Sequence, residues 1–259
     1  MIDDSPRRSP PLSNPLTVAL LLVGFLLLDP LLDWLFIRPW QVLFPLWDAQ
    51  AFTSFVMIVA RLILLTVIAV IAWRSAIKPA NLGLNRAPLG ALFPAALAVL
   101  GLFLVAQIAA SLLPQGSERG ITALSQEQAA LRSSPLVQLS RIFILLALVP
   151  FTEELLFRGI LQPLSIAQLG LGAGLLVQAG LFATMHVQIW GLAAPAMLAA
   201  LLVLLLLGLF AGVLTRYYHS IWPAVALHAG YNSAVFLMTA VVPRLIRRLY
   251  RSHSAQQRK

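Results

Sequence analysis

The amino-acid sequence predicts an all-α protein, a polytopic bundle of transmembrane helices. Of its 259 residues, 60% are hydrophobic and only 10% are charged, and the mean hydropathy is +0.89. The apolar runs are long and continuous, which is typical of membrane helices and not of the short alternating strands of a membrane barrel. Helices also pair every backbone polar group internally, as a bilayer requires. We predict about seven spans, with eight as the alternative.

Seven apolar runs have roughly the length of a membrane span: 16–37, 52–73, 90–113, 142–161, 171–189, 195–214 and 221–242. The first run has no small-residue cleavage site, so we interpret it as an uncleaved span. Tryptophan favours the membrane interface, and all six tryptophans fall at or near the predicted span ends: Trp34, Trp40, Trp47, Trp73, Trp190 and Trp222.

The chain divides into four parts by composition. A polar, proline-rich stretch over 1–15 is predicted to be a disordered tail, and N-terminal transmembrane helices occupy 16–136. Within them, 114–136 carries Ile121, Leu124 and Ala129 among polar residues, which predicts a short amphipathic helix lying on the membrane, with a lid as the alternative. A helical core over 137–243 and a basic tail over 244–259 complete the chain.

The net charge of +9 lies largely in that basic tail. Because the tail directly follows an apolar run, we expect it to bind anionic lipid headgroups and not nucleic acid. The positive-inside rule places both this tail and the N-terminus in the cytoplasm, which seven spans do not allow. The chain has no cysteine, which excludes disulfides, thiolate metal ligands and a cysteine nucleophile.

Ionisable residues inside predicted spans need a partner, because a charge near the bilayer centre costs several kcal/mol. Asp29 in the first span and Arg61 in the second lie at similar distances from their shared loop. We predict that they form a structural ion pair.

A second charged group lies in the segment FTEELLFRGI, residues 151–160. Glu154 and Arg158 are four residues apart, so they share a helix face and can neutralise each other. Glu153 is turned by about 100° from Glu154. The sequence therefore leaves one glutamate without a charged partner on its own helix.

Two later segments supply polar partners at helical spacing. Phe182 and His186 are four residues apart in GLFATMHVQ, and His228 and Asn232 are four apart in ALHAGYNSA. Each pair therefore faces one direction on its helix.

These residues form a minimum set for hydrolysing an amide. A carboxylate in apolar surroundings is a stronger base than one in water, and an imidazole can help it to deprotonate a water molecule. Histidine and asparagine side chains can donate hydrogen bonds to an oxyanion. The predicted catalytic residues are Glu153, His186, His228 and Asn232.

Two alternatives stay open from the residues alone. Glu153, His186 and His228 are an acceptable catalytic zinc set, although the short H-E-x-x-H motif is absent. Alternatively, the same polar groups only hold helices together.

The three motifs resemble those of the CPBP family of intramembrane endopeptidases, which includes the type II CAAX prenyl proteases. The family motifs E-E-x-x-x-R, F-x-x-x-H and H-x-x-x-N occur in order over about 142–235. The resemblance implies that Glu153 activates water with His186, while Glu154 and Arg158 hold the first motif in place. It assigns the oxyanion site to His228 with Asn232, with Phe182 as a structural residue, and leaves a metal open.

We therefore predict an intramembrane endopeptidase of the glutamic type, acting on a membrane-associated or C-terminally modified protein or peptide. Alternatives are a catalytically inactive scaffold or immunity protein, and a proton-coupled transporter. The chain has no internal repeat of the kind many transporters show. The expected location is a bacterial plasma membrane, and the substrate is not specified by the residues.

Overall fold

The structure, a computed structural model, describes residues 20, 23, 24, 27, 31–43, 48–111, 133–186 and 194–238. Those residues form helices and connecting loops, with no strand among them. The predicted tails over 1–15 and 244–259 lie outside the described residues, as does nearly all of the amphipathic segment 114–136.

Seven α-helices follow one another along the described chain. A π-helical turn, Asp33–Ile37, precedes the first of them. The helices are α1 (Arg38–Leu43), α2 (Ala49–Arg74), α3 (Leu92–Ser111), α4 (Pro135–Leu169), α5 (Leu171–Thr184), α6 (Ala194–Tyr218) and α7 (Trp222–Phe236). Short 3-10 turns at Pro79–Leu82 and Leu89–Ala91 lie between α2 and α3.

Four of these helices are long and apolar enough to cross a membrane: α2, α4, α6, and α3 together with its leading turn, Leu89–Ala109. The all-α membrane bundle is thus confirmed, whereas the count of seven spans is not. The span predicted over 142–161 is only the middle of α4, which has 35 residues. Charged residues in this helix lower its local hydropathy, but the helix continues through them.

The helix α4 is not uniform along its length. Wide π-helical turns at Ile144–Leu148 and Leu155–Leu161 flank the six-residue α-helical stretch Val149–Glu154. Pro150 and Pro163 each lie just beyond one wide turn. Proline has no N–H and its ring clashes with the carbonyl four residues earlier, so widening the preceding turn lets the helix continue.

The bundle packs around α4. Helix α5 turns back on α4 and also packs against α6, while α7 packs against α3 and α6. Gly208 and Gly212 on α6 permit the close approach to α5, because a Cβ on Gly208 would lie 3.0 Å from the Ala179 backbone. Arg61 is buried on α2, but its predicted partner Asp29 lies outside the described residues.

Hydrogen bonds join the loop after α2 to the turn between α6 and α7. The Ile221 N–H donates to the Gly83 carbonyl at 2.9 Å. Gly83 has a φ of 73° and a Cβ there would lie 2.8 Å from Ile221, so only glycine suits this contact. This contact therefore fixes the loop after α2 against the end of α6, at the end of the bundle where α3 begins.

Candidate active site

Three helices bring the predicted site residues together. The first motif lies in the middle of α4, the second at the end of α5, and the third in α7. Six of the seven predicted side chains belong to one connected group, and the seventh, Asn232, contacts the backbone of α4 instead; the six are Glu153, Glu154, Arg158, Phe182, His186 and His228.

Glu154 is held from two sides in the interior. Arg158 Nε lies 2.8 Å from Glu154 Oε2, and both side chains are fully buried. The other carboxylate oxygen, Oε1, accepts a hydrogen bond of 2.9 Å from His228 Nδ1. The predicted Glu154–Arg158 pairing is therefore present, and Glu154 also orients a histidine.

Glu153 has a different environment. Its Oε2 lies 3.8 Å from His186 Nε2 and 4.0 Å from His228 Nε2, both longer than a hydrogen bond. Among the described residues, Glu153 Oε2 has no hydrogen-bond partner. Two imidazoles from two helices thus face the same carboxylate oxygen without bonding to it.

The hydrogen bonds assign the tautomers of both histidines. His186 Nδ1 lies 2.7 Å from the Phe182 carbonyl, which can only accept, so Nδ1 carries the hydrogen. The Glu154 carboxylate fixes the same tautomer in His228. In the neutral form each ring therefore presents the lone pair of Nε2 to Glu153.

Phe182 lies between the histidines and the buried arginine. Its ring meets those of His186 and His228 edge-on, with centroids 4.7 and 5.7 Å away. The Arg158 guanidinium carbon lies 4.9 Å from the ring centroid, within range of a cation–π contact. The F-x-x-x-H motif thus supplies a packing ring and, through the Phe182 carbonyl, the acceptor for His186.

Asn232 joins α7 to the first wide turn of α4. Its amide donates to the Leu145 carbonyl at 3.0 Å. The Val149 N–H donates to Ile144 instead, and Pro150 has no N–H, so Leu145 lacks the usual donors within its helix. Asn232 therefore satisfies this carbonyl, and its amide nitrogen carries a second hydrogen.

Residues 135–234 match the family model described as Type II CAAX prenyl endopeptidase Rce1-like. The match covers 100 of the 259 residues and makes this part of the chain similar to the CAAX proteases, whose motifs it also resembles. The comparisons with curated proteins and with solved structures gave no match. Members of this family are intramembrane endopeptidases, and the apolar helices agree with an integral membrane protein.

The matched region 135–234 contains two further buried polar residues that the sequence analysis did not identify. Gln178 Oε1 accepts a hydrogen bond from Arg158 Nη1, and Gln178 Nε2 donates to the Gly208 carbonyl at 3.2 Å. Gln162 Nε2 donates to the Gly212 carbonyl at 2.9 Å. A chain of contacts thus connects Glu154 through Arg158 and Gln178 to α6.

The spacing of Gln162 and Gln178 from the motif residues could have identified them in the sequence. Gln178 precedes Phe182 by four residues and His186 by eight, and Gln162 follows Arg158 by four. Each glutamine therefore lies on the face already occupied by a motif residue.

Among the described residues, no group of three or more His, Cys, Asp or Glu side chains is arranged to hold a metal ion. Glu153, His186 and His228 supply suitable donor atoms. Their separations of 3.8 and 4.0 Å exceed the roughly 3.3 Å expected between ligands of a tetrahedral zinc site. Zinc binding would therefore require these side chains to move closer together.

Proposed function

We propose that this protein hydrolyses a peptide bond of a membrane-associated protein with a water molecule activated by Glu153. The observation that carries the proposal is the convergence of His186 Nε2 and His228 Nε2 on Glu153 Oε2, at 3.8 and 4.0 Å. One water molecule can bridge groups at these separations, because each hydrogen bond to it needs about 2.8 Å.

Glu153 acts as the general base in this scheme. It accepts one hydrogen of the water while the water oxygen bonds to the peptide carbonyl carbon. His186, fixed by the Phe182 carbonyl, accepts a hydrogen bond from the second hydrogen, which stays on the water oxygen, and thereby orients the attack. When the carbon–nitrogen bond breaks, Glu153 returns its proton to the leaving nitrogen, so the reaction adds only one water molecule.

The oxyanion role of His228 depends on its protonation. Its neutral tautomer presents a lone pair, so Nε2 donates to an oxyanion only as an imidazolium. The Glu154 carboxylate at 2.9 Å holds the ring so that Nε2 points toward Glu153. The second amide hydrogen of Asn232 is the other candidate donor.

The substrate class follows from the family description. We propose a protein or peptide held at the membrane by a C-terminal modification, with a prenylated CAAX tail as the first candidate. The proposed location is a bacterial plasma membrane, where the basic tail 244–259 would bind anionic headgroups.

The test is a cleavage assay with purified full-length protein and a library of peptides that includes prenylated C-terminal tails. Glu153→Gln keeps the side-chain size and removes the base. We expect cleavage to fall by about 10²- to 10⁴-fold, the range of general-base catalysis. An unchanged rate in this variant would contradict the proposal.

Two controls accompany the assay. His186→Ala is expected to reduce cleavage strongly, whereas His253→Ala is not, because His253 lies in the tail after the three motifs. A strong chelator is expected to leave wild-type cleavage unchanged. Cleavage lost with the chelator and restored by zinc would replace the glutamate mechanism with a metal mechanism.

A further inference from the structure

A second cavity lies at the end of the bundle formed by the loop after α2, the second half of α4 and the last turn of α6. Its volume is about 350 Å³, which falls within the range of small-ligand sites. Arg158 lines it as well as contacting Glu154, so this residue separates the cavity from the candidate active site.

The cavity is positively charged. Arg158, Arg216 and His219 line it, and no aspartate or glutamate does. Glu154 neutralises Arg158, but Arg216 is exposed and has no acidic residue in the neighbouring stretch 213–222. The loop after α2, over 75–91, adds two basic residues, Lys78 and Arg86, and no acidic one. The surroundings therefore favour an anion.

Hydrogen bonds hold the rim of the cavity in place. Asn85 Nδ2 donates to the His219 carbonyl at 2.9 Å, and Ser220 Oγ donates to the Asn85 carbonyl at 2.7 Å. His219 has a φ of 49°, uncommon for a residue other than glycine. These contacts fix the loop and the end of α6 relative to each other, so the cavity is already formed.

The wall of the cavity contains unsatisfied polar groups. Arg158 Nη2, Gln162 Oε1 and Thr215 Oγ1 are buried and have no hydrogen-bond partner among the described residues. All three residues line the cavity. These atoms are covered by neighbouring groups, so the exposed Arg216 and the polar rim are what a ligand in the cavity would contact.

We propose that this cavity binds the phosphate headgroup of an anionic lipid. It lies where the candidate spans α2 and α6 end and α3 begins, which is the depth of lipid headgroups. Exposed Trp73 and Tyr217 lie near the same ends, as expected of residues at a membrane interface. Basic pockets between membrane helices are known to bind such headgroups.

Arg216→Gln tests the proposal, with Arg74→Gln as the matched control. Both arginines are exposed and lie in the last turn of a candidate span, at the same end of the bundle. Only Arg216 lines the cavity. The two variants therefore lose the same charge from the same surface. A difference in lipid binding between them is then due to the cavity.

Binding is measured on the full-length protein in detergent, by native mass spectrometry and by the midpoint of thermal unfolding. The probes are phosphatidylglycerol, phosphatidylcholine and inorganic phosphate. We expect phosphatidylglycerol to bind the wild type and Arg74→Gln, and to bind Arg216→Gln at least tenfold more weakly. Phosphatidylcholine and inorganic phosphate are expected to bind none of the three measurably.

Each contrary result overturns the proposal. Equal binding by the two variants would show that headgroups contact the surface without using the cavity. Binding of phosphatidylcholine with equal strength would remove the preference for an anionic lipid. Binding of inorganic phosphate as tight as that of phosphatidylglycerol would make a free anion the ligand. The measurement requires no cleavage, so its result is independent of the proposed protease activity.

Discussion

Glu153 and Glu154 are adjacent in the chain, yet their surroundings differ in nearly every respect. Glu154 has an arginine at 2.8 Å and a histidine at 2.9 Å, and it is fully buried. Glu153 faces two histidines at 3.8 and 4.0 Å and retains slight exposure. One carboxylate has short contacts to its partners, and the other has room for a reactant.

The difference separates a structural role from a chemical one. A buried ion pair contributes to stability only while both partners remain, because a single buried charge is costly. A general base instead needs space next to its oxygen for the proton donor. We therefore expect Glu154 to control folding and the orientation of His228, and Glu153 to control the reaction.

The largest expected effect on stability is that of Glu154→Gln. The change leaves the Arg158 charge buried without its counter-ion, which typically costs about 3–5 kcal/mol. The midpoint of thermal unfolding in detergent should fall clearly. Glu153→Gln is the matched control, and we expect it to leave the midpoint nearly unchanged. Equal losses in the two variants would remove the distinction between the two carboxylates.

A smaller effect is expected for Asn232→Ala, which removes the donor to the Leu145 carbonyl. An unsatisfied buried carbonyl costs about 1–3 kcal/mol, and because this contact is only partly buried, the fall in the unfolding midpoint should correspond to the lower end of that range. If Asn232 also holds the oxyanion, kcat should fall by about 10²- to 10³-fold at a temperature where the variant is fully folded. An unchanged unfolding midpoint would contradict the structural role of Asn232. An unchanged kcat would contradict its role at the oxyanion.

The smallest effect is expected for Gly212→Ala. The added Cβ would lie 2.7 Å from Gln178 Nε2, at the far end of a flexible side chain. The cost should therefore be about 1 kcal/mol, the lower end of the range for overpacking. Gly180→Ala is the control, because nothing lies within 4 Å of its added Cβ. A midpoint that is equally unchanged in both would show that Gln178 adjusts freely.

Spacing alone predicted much of the site. The four-residue intervals placed Glu154 with Arg158 and His228 with Asn232 on shared faces, as the structure has them. They also implied that Glu153 points elsewhere. The contribution of Gln178 was missed because a neutral amide within an apolar helix does not stand out as a charge does.

Whether a side chain donates or accepts a hydrogen bond depends on its tertiary contacts, which residue spacing does not reveal. His228 was predicted as a donor, whereas its contact with Glu154 leaves a lone pair on Nε2 of the neutral ring. The contact of Asn232 with Leu145 depends on a wide helical turn. Pro150 marks a break in the hydrogen bonding of α4, but it does not reveal which carbonyl lacks a donor.

The two wide turns of α4 also determine how the protein would respond to a change in chain length. Each residue of an α-helix advances the rotation by about 100°. Deleting one residue after Arg158 in the second wide turn, within 159–161, would let that turn relax to α-helical geometry, while the side chains beyond it kept their phase. The same deletion within Val149–Glu154 would rotate the two glutamates away from α5 and α7. A one-residue deletion would therefore be tolerated in the second wide turn of α4, but not in the α-helical stretch before it.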